Sequence, residues 1–276
     1  MRHTMMRVEP FVAADIPPFL AMADREGWIC APEEFSFLLR TFPAGCCTVR
    51  RDGIPLAFIT SIRYGTSGWI GNLIVDHGLR GQGVGRQLME AALAALQQAG
   101  TKSVWLTASQ QGAPLYARLG FATVDTIRRW QGMGAVAPAP ADKLSQSSYR
   151  KMVSIDRHGW GDRRASILCD SLVAGDCRSL DNGFIVTRPA PDGIQIGPWS
   201  ALTADTATRL LDASYSPDPS ASPVVLDLPE GNRHATDLLG RSGFSTIGST
   251  LLMCRGTLPP FHPETIYALA SMGSMG

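Results

Sequence analysis

The stretch Ile70–Gln98, IGNLIVDHGLRGQGVGRQLMEAALAALQQ, constrains this chain more than any other. Ile70–Val75 is short, apolar and rich in β-branched residues, which predicts a buried strand. Gly78, Gly81, Gly83 and Gly85 follow at once. Val84, Leu88, Ala91, Ala92, Ala95 and Leu96 then recur at helical spacing, so one helix face packs on a sheet. A glycine-rich turn opening a helix leaves several backbone N–H groups without intrahelical partners. With the helix dipole, those donors suit a pyrophosphate.

Three phosphate-binding patterns compete for this stretch. A Walker-type loop requires Gly-Lys-Ser/Thr, and Gly85-Arg86-Gln87 does not supply it. The dinucleotide fingerprint requires a third glycine where Arg86 stands, and an acidic residue after a second strand. What the chain has is Arg80-Gly81-Gln82-Gly83-Val84-Gly85, an R-x-x-G-x-G run. That run resembles the pyrophosphate loop of the GNAT superfamily of acyl-CoA-dependent N-acyltransferases. A glycine-rich turn that binds nothing is the alternative on this motif alone.

Upstream, the pattern predicts a strand at Met6–Phe11, a helix opened by Ala13-Ala14-Asp15 and a second helix at Ala31–Thr41. Strands follow at Cys46–Arg51 and Pro55–Tyr64, joined across Asp52-Gly53, and then at Trp69–Val75. After the central helix come a strand at Ser103–Thr107, a short helix at Gly112–Leu119 capped by Gly120, and a strand at Phe121–Trp130. This β-α-α-β-β-β-α-β-α-β order is the one expected of a GNAT domain. A second match lies in the right place: Leu115-Tyr116-Ala117-Arg118-Leu119-Gly120-Phe121 resembles the family's L-Y-x-x-x-G-F segment. Where the family usually has asparagine seven residues before the tyrosine, this chain has Ser109.

Met133–Ser148 is rich in alanine, proline and serine and reads as a linker. The half beyond it repeats the later plan of the first. Strands are expected at Asn182–Arg188, Ile194–Gly197, Val224–Leu228 and Ser245–Arg255, and helices at Thr203–Ala213 and Asn232–Arg241. Leu238-Leu239-x-Arg241-x-Gly243-Phe244 aligns with Leu115-Tyr116-x-Arg118-x-Gly120-Phe121, and Asn232 with Ser109. The chemistry is not repeated. Gly197-Pro198-Trp199-Ser200-Ala201-Leu202 falls where the glycine loop would be, and Leu239 replaces Tyr116. The expected architecture is therefore α/β, an α+β mixed sheet, in two tandem GNAT-like domains. Each is a mostly antiparallel sheet flanked by helices: a catalytic domain at 1–132, a linker at 133–148, and a degenerate domain at 149–276 that does not hold CoA. The closing Ile266–Ser271 segment also resembles the C-terminal partner of tandem GNAT proteins. A generic α/β cap is the alternative for the second half.

The resemblance implies site residues. Leu73, Ile74 and Val75 would pair their backbone with the pantetheine arm, with an N–H near Ile74 directed at the thioester oxygen. Backbone N–H groups of Gly81, Gln82, Gly83, Val84, Gly85 and Arg86 would hold the pyrophosphate, with Arg80 beside it and Ser109 on a pantetheine amide or a water. Tyr116 would act as general acid towards the CoA thiolate. Trp28, Phe37 and Asn72 would line the acceptor side. No glutamate stands in the Trp69–Val75 strand, so Asp76, His77, Asp24 or a water chain are the candidate bases. For the side chains among these, the competing reading is ordinary packing or a solvated turn.

The implied reaction moves an acetyl group from acetyl-CoA to a primary amine, more readily a small molecule than a protein, without a metal. A non-catalytic acyl-CoA-binding or sensing protein is the second reading. The chain has 276 residues, 45% of them hydrophobic and 18% charged, with a net charge of +1. That balance suits a globular protein and argues against nucleic acid as the main partner. No apolar run approaches membrane-spanning length and no signal peptide is apparent, so a cytoplasmic location is expected. Six cysteines without metal-ligand spacing read as reduced packing residues. An internal repeat that stands in for a dimer partner favours a monomer.

Overall fold

The computed structural model of the protein describes residues 7–138 and 144–276. They form two compact units. The first contains the described residues up to Leu106 together with Gly273–Met275, and the second contains Thr107–Met272 and Gly276.

In the first unit, β1 (Arg7–Pro10) leads through a turn of 3-10 helix to α1 (Ile16–Arg25) and α2 (Pro32–Thr41). Both helices carry proline in their first turn, where no intrahelical N–H is lost. β2 (Cys47–Arg51), β3 (Ile54–Arg63) and β4 (Ser67–Val75) follow as antiparallel neighbours. α3 (Val84–Gln98) crosses over to β5 (Ser103–Ala108), which runs parallel to β4 and passes into the second unit at Thr107. Met6 of the expected first strand lies outside the described residues.

Phe11, Phe19, Phe35 and Phe58 form the aromatic part of this core, with Phe19 and Phe35 centroids 4.3 Å apart and Phe11 and Phe58 5.0 Å apart. Pairs at such spacing contribute about 0.5–1.5 kcal/mol each beyond area burial. α3 buries Val84, Leu88, Met89, Ala92, Leu93 and Leu96, the face expected from its periodicity.

The second unit opens with α4 (Ala113–Arg118) and β6 (Ala122–Val136). Next come α5 (Gln146–Trp160), α6 (Ala165–Ala174), β7 (Asp176–Leu180), β8 (Gly183–Ala190) and β9 (Gly193–Ala201). α7 (Ala204–Ser214), β10 (Tyr215–Pro217), β11 (Pro223–Pro229), α8 (Arg233–Arg241), β12 (Ser245–Gly256) and β13 (Ile266–Ala268) complete it. The sheet order is β12-β6-β11-β9-β8-β7, with β10 on β6 and β13 on β9. β9 and β11 are parallel and the other pairs in this order are antiparallel. The α/β class and the mostly antiparallel sheets agree with the sequence reading.

The segment read as a linker is more structured than expected. β6 runs on to Val136 and α5 begins at Gln146, leaving 139–143 outside the described residues. The length of β6 has a purpose. It lies between β12 and β11, pairing with β11 from Met133 to Ile127 and with β12 from Gln131 to Ala122. The repeat would place β12, the strand after Gly243-Phe244, next to β11. β6, the strand after Gly120-Phe121, takes that place. A bidentate ion pair fixes the register, with Arg129 Nε and Nη2 each 2.8 Å from the buried Asp227 carboxylate directly across the ladder.

Candidate active site

The β4–α3 connection is a short 3-10 turn, His77–Leu79, followed by Arg80–Gly83. Asp76 caps the turn by accepting from Gly78 N at 2.9 Å. Gly81 and Gly83 have φ of 76° and 82°, which an L side chain adopts only with strain. A Cβ at either would meet nothing within 4 Å, so both face open space. Gly83 is the N-cap of α3. Among the described residues the N–H groups of Gly81, Gly83, Val84, Gly85 and Arg86 have no acceptor, while Gln82 N donates to Leu79 O at 3.4 Å. This is a cradle of main-chain donors at the positive end of a fifteen-residue helix.

The side chains around it point elsewhere. Arg80 donates from Nε to Val75 O at 2.9 Å and pairs through Nη2 with Glu26. His77 Nε2 lies 3.0 Å from the same carboxylate. Gln82 Nε2 donates to Gly78 O, and Arg86 pairs with Glu90 one turn on. Arg80 thus ties the loop to the end of β4 and to the α1 terminus. Glu26, its partner, carried no sequence signal because the two stand 54 residues apart.

β4 itself changes partners along its length. Its parallel ladder with β5 runs from Ser67↔Ser103 to Trp69↔Trp105 and stops there. Beyond Trp69 no β5 residue of the first unit is in register with β4. On the other side, Thr60 opposes Gly71 and Phe58 opposes Ile74, so Asn72 and Leu73 face Ile59 alone. This is a bulge, and Asn72 takes φ 55° to make it. Ile74 and Val75 then pair with Phe58 and Ala57. The strand therefore offers an edge from Leu73 to Val75 that leads into the glycine loop.

Of the acceptor-side residues, Trp28 is exposed (38%) and follows Gly27 at the end of α1. Phe37 is buried (6%) in α2. Asn72 is buried as well, and both ends of its amide are engaged: Nδ2 donates to Thr60 Oγ1 at 2.9 Å and Oδ1 accepts from Ser274 Oγ at 3.1 Å. Asp24 is exposed on α1. Asp76 is committed to its cap, and His77 to Glu26.

Tyr116 lies on α4, in the second unit. Its ring meets Phe121 edge-on at 6.2 Å, and among the described residues its hydroxyl has no hydrogen-bond partner. Burial pushes the phenol up to about 12. Ser109 Oγ accepts from Gly112 N at 3.1 Å, opening the turn before α4. The repeat reproduces this frame bond for bond. Asn232 Oδ1 accepts from Ala235 N at 2.9 Å. Phe121 N donates to Tyr116 O, and Phe244 N to Leu239 O. Gly120 and Gly243 have φ of 86° and 84°.

The second copy departs elsewhere, in a way the sequence did not convey. Gly197–Ala201 is not a degraded loop; it is the end of β9 itself. Only Leu202 and Thr203 separate β9 from α7, and Thr203 caps that helix. Trp199, fully buried, packs on Tyr267 at 4.9 Å. β9 and β11 are in register only at Ile194–Gln195 and Val224–Val225. Beyond that point β13 pairs with β9, and Leu269 N donates to Asp227 O of β11 at 2.8 Å. The space between the two strands is filled by this chain's own backbone.

Among the described residues no group of three or more His, Cys, Asp or Glu side chains is placed to hold a metal, and no helix is long and apolar enough to cross a membrane. The six cysteines are free thiols. Burial pushes Cys46 up to about 12 and raises Cys47, so neither is an activated nucleophile.

Comparisons with known proteins point to one family. Residues 13–121 match the model described as the acetyltransferase (GNAT) family, and residues 152–268 match that of an acetyltransferase (GNAT) domain. An uncharacterised N-acetyltransferase of Bacillus subtilis, YitH, is 22% identical over 73% of this chain and 74% of its own length. Holothin acyltransferase of a Pseudoalteromonas species is 24% identical over 79% and 77%. In fold, a candidate acetyltransferase from Pyrococcus horikoshii superposes with a TM-score of 0.83 at 20% identity, covering 100% of this chain and 98% of that one. A GCN5-related N-acetyltransferase from Sphaerobacter thermophilus gives 0.61 at 16% identity, covering 94% and 98%. With a GNAT model on each half and one copy of the repeated frame inside each, this chain belongs to the GNAT acetyltransferase family, as a protein with two GNAT domains in tandem.

Proposed function

We propose that the protein transfers an acetyl group from acetyl-CoA to the primary amine of a small molecule, by direct attack with donor and acceptor bound together. The observation that carries this reading is the glycine cradle: five unpartnered N–H groups at the head of α3, directly after a strand edge free of a β5 partner. A pyrophosphate on the cradle leaves the pantetheine arm to run along Leu73–Val75 as an added strand would. Main-chain donors need no cation, so the engagement of Arg80 with Val75 and Glu26 costs the site nothing. In this reading Arg80 shapes the loop, and the phosphate contact is the backbone's.

The amine lone pair attacks the thioester carbonyl carbon. The resulting oxyanion is stabilised by a main-chain N–H near Ile74, on the β4 edge beyond the bulge. The C–S bond then breaks, the amine loses a proton, and the CoA sulfur gains one. Tyr116 is the hydrogen-bond donor to that sulfur. With its phenol at about 12, it is a weaker acid than a thiol at about 8.5. Its contribution is a hydrogen bond to the departing thiolate, and the proton balance is completed by the one the amine releases. Ser109, with its hydroxyl on Gly112 N, shapes the turn that carries Tyr116.

The second GNAT domain is read as silent towards CoA, because its loop is two residues long and its strand gap is occupied. The relative named holothin acyltransferase supports acyl transfer as the reaction class. The test is Tyr116→Phe. Calorimetric binding of acetyl-CoA is expected to be unchanged, while kcat, followed by thiol release with an amine panel, falls about 10²-fold. Unchanged turnover would remove Tyr116 from the reaction. Absence of acetyl-CoA binding in the unaltered protein would remove the transferase reading.

A further inference from the structure

The bulge in β4 is held by a segment 200 residues away in sequence. Gly273, Ser274 and Met275 belong to the first compact unit, although the residues on either side of them do not. Gly273 O accepts from Asn72 N at 3.3 Å, and Ser274 Oγ donates to Asn72 Oδ1 at 3.1 Å. Tyr64 Oη donates to Met275 O at 2.5 Å. Gly71 cannot carry a side chain: a Cβ there would lie 2.2 Å from Gly273 O and 2.8 Å from Ser274 Cα. Ser274 and Met275 are 3% and 1% exposed.

These contacts meet at one place. Asn72 is a non-glycine residue at positive φ, a conformation that costs energy and persists where neighbours over-determine it. Its N–H goes to Gly273, its amide oxygen to Ser274 and its amide nitrogen to Thr60. The next residue, Leu73, begins the edge assigned above to the thioester end of the donor. We infer that Gly273–Met275 is a strap that positions the β4 bulge against the acyl group, with Ser274 as a positioning residue acting through Asn72. This rests on the acetyl-CoA reading of the first domain.

The strap acts at the acyl end and leaves the pyrophosphate cradle alone. It is therefore visible as a difference between two ligands, acetyl-CoA and CoA, with no acceptor required. Calorimetry on the full chain is expected to give acetyl-CoA a preference of about fivefold, the scale of one neutral hydrogen bond. Ser274→Ala is expected to bring the two affinities within about twofold while CoA affinity holds, and Ser274→Thr, which keeps the hydroxyl, to restore the preference. Gly71→Ala displaces the strap by a clash with its backbone and is expected to act like Ser274→Ala. Retained CoA affinity in each variant shows that the domain is folded, which separates positioning from structural loss. A preference unchanged in Ser274→Ala and Gly71→Ala, or lost together with CoA affinity, overturns the strap but not the acetyl-CoA reading. Equal binding of the two ligands by the unaltered protein also overturns the strap. Binding of neither overturns both.

Discussion

At the scale of single residues, burial decides which protons are available. The Tyr116 phenol stands at about 12 because its charged form is desolvated. A group whose folded pKa is raised above its unfolded value near 10 contributes stability that is complete below about pH 10 and is lost as pH rises towards 12. Tyr116 therefore keeps its proton throughout the neutral and mildly alkaline range. Ultraviolet titration of phenolate, read soon after each pH jump, tests this. The difference between the unaltered protein and Tyr116→Phe is expected only near pH 12, and a component at ordinary phenol pKa would contradict it. Tyr116 itself was legible in the sequence, since a tyrosine four residues before Gly-Phe is a local pattern. Its partners were not all legible. Glu26 under Arg80 and Ser274 under Asn72 are contacts across 54 and 202 residues, and no spacing rule connects them. Asn72 was read as an acceptor-side residue, and its positive φ and its committed amide appear only once β3 and the strap are in place.

At the scale of elements, the periodic segments were the readable ones. β4, α3 and α8 fall close to their expected bounds because apolar spacing, a cap and a closing glycine all agree. α5, α6, β7, β10 and the far end of β6 have no counterpart in the sequence reading. α5 follows a proline-rich stretch and spreads Met152, Ile155 and Trp160 among polar residues, so composition hid its period. β6 is long because it pairs with two strands that come a hundred residues later, which local sequence does not encode. The repeated caps give a controlled comparison. Asn232 and Ser109 each accept from the N–H three residues on, but Asn232 is buried and also donates to Ile266 O at 3.0 Å, whereas Ser109 is exposed. Asn232→Ala loses a cap and the buried bond to Ile266 O, an expected cost of about 2–4 kcal/mol in urea unfolding. Ser109→Ala is expected to cost under about 1 kcal/mol. Equal costs would show that burial at the cap contributes little.

At the scale of the whole molecule, a duplicated fold raises the question of how many donors it binds. The sequence places the second half's missing glycine loop at Gly197–Leu202; the position is close, and the cause differs. The proline and tryptophan there are strand residues, and what is missing is the loop itself: eight residues, Asp76–Gly83, connect β4 to α3, and two connect β9 to α7. A connection of two residues leaves α7 only its own first-turn N–H groups, and the Thr203 cap takes one of these, Thr206 N. The gap beside β9 is closed as well, since β13 forms on β9 the ladder that an extended ligand would form, and Leu269 N takes the Asp227 carbonyl. Restoring the loop by substitution alone would then fail, because the chain's own strand competes at an effective concentration no free ligand reaches. The expected outcome of titrating acetyl-CoA is one site per chain, and Gly83→Asp, which places a carboxylate in the first domain's cradle, is expected to abolish it. Two sites, with one surviving Gly83→Asp, would mean that β13 leaves β9 to admit ligand. Backbone that fills the gap beside β9 puts the second domain's closing segment under structural demand, and that same run of chain supplies Gly273–Met275 to the first unit.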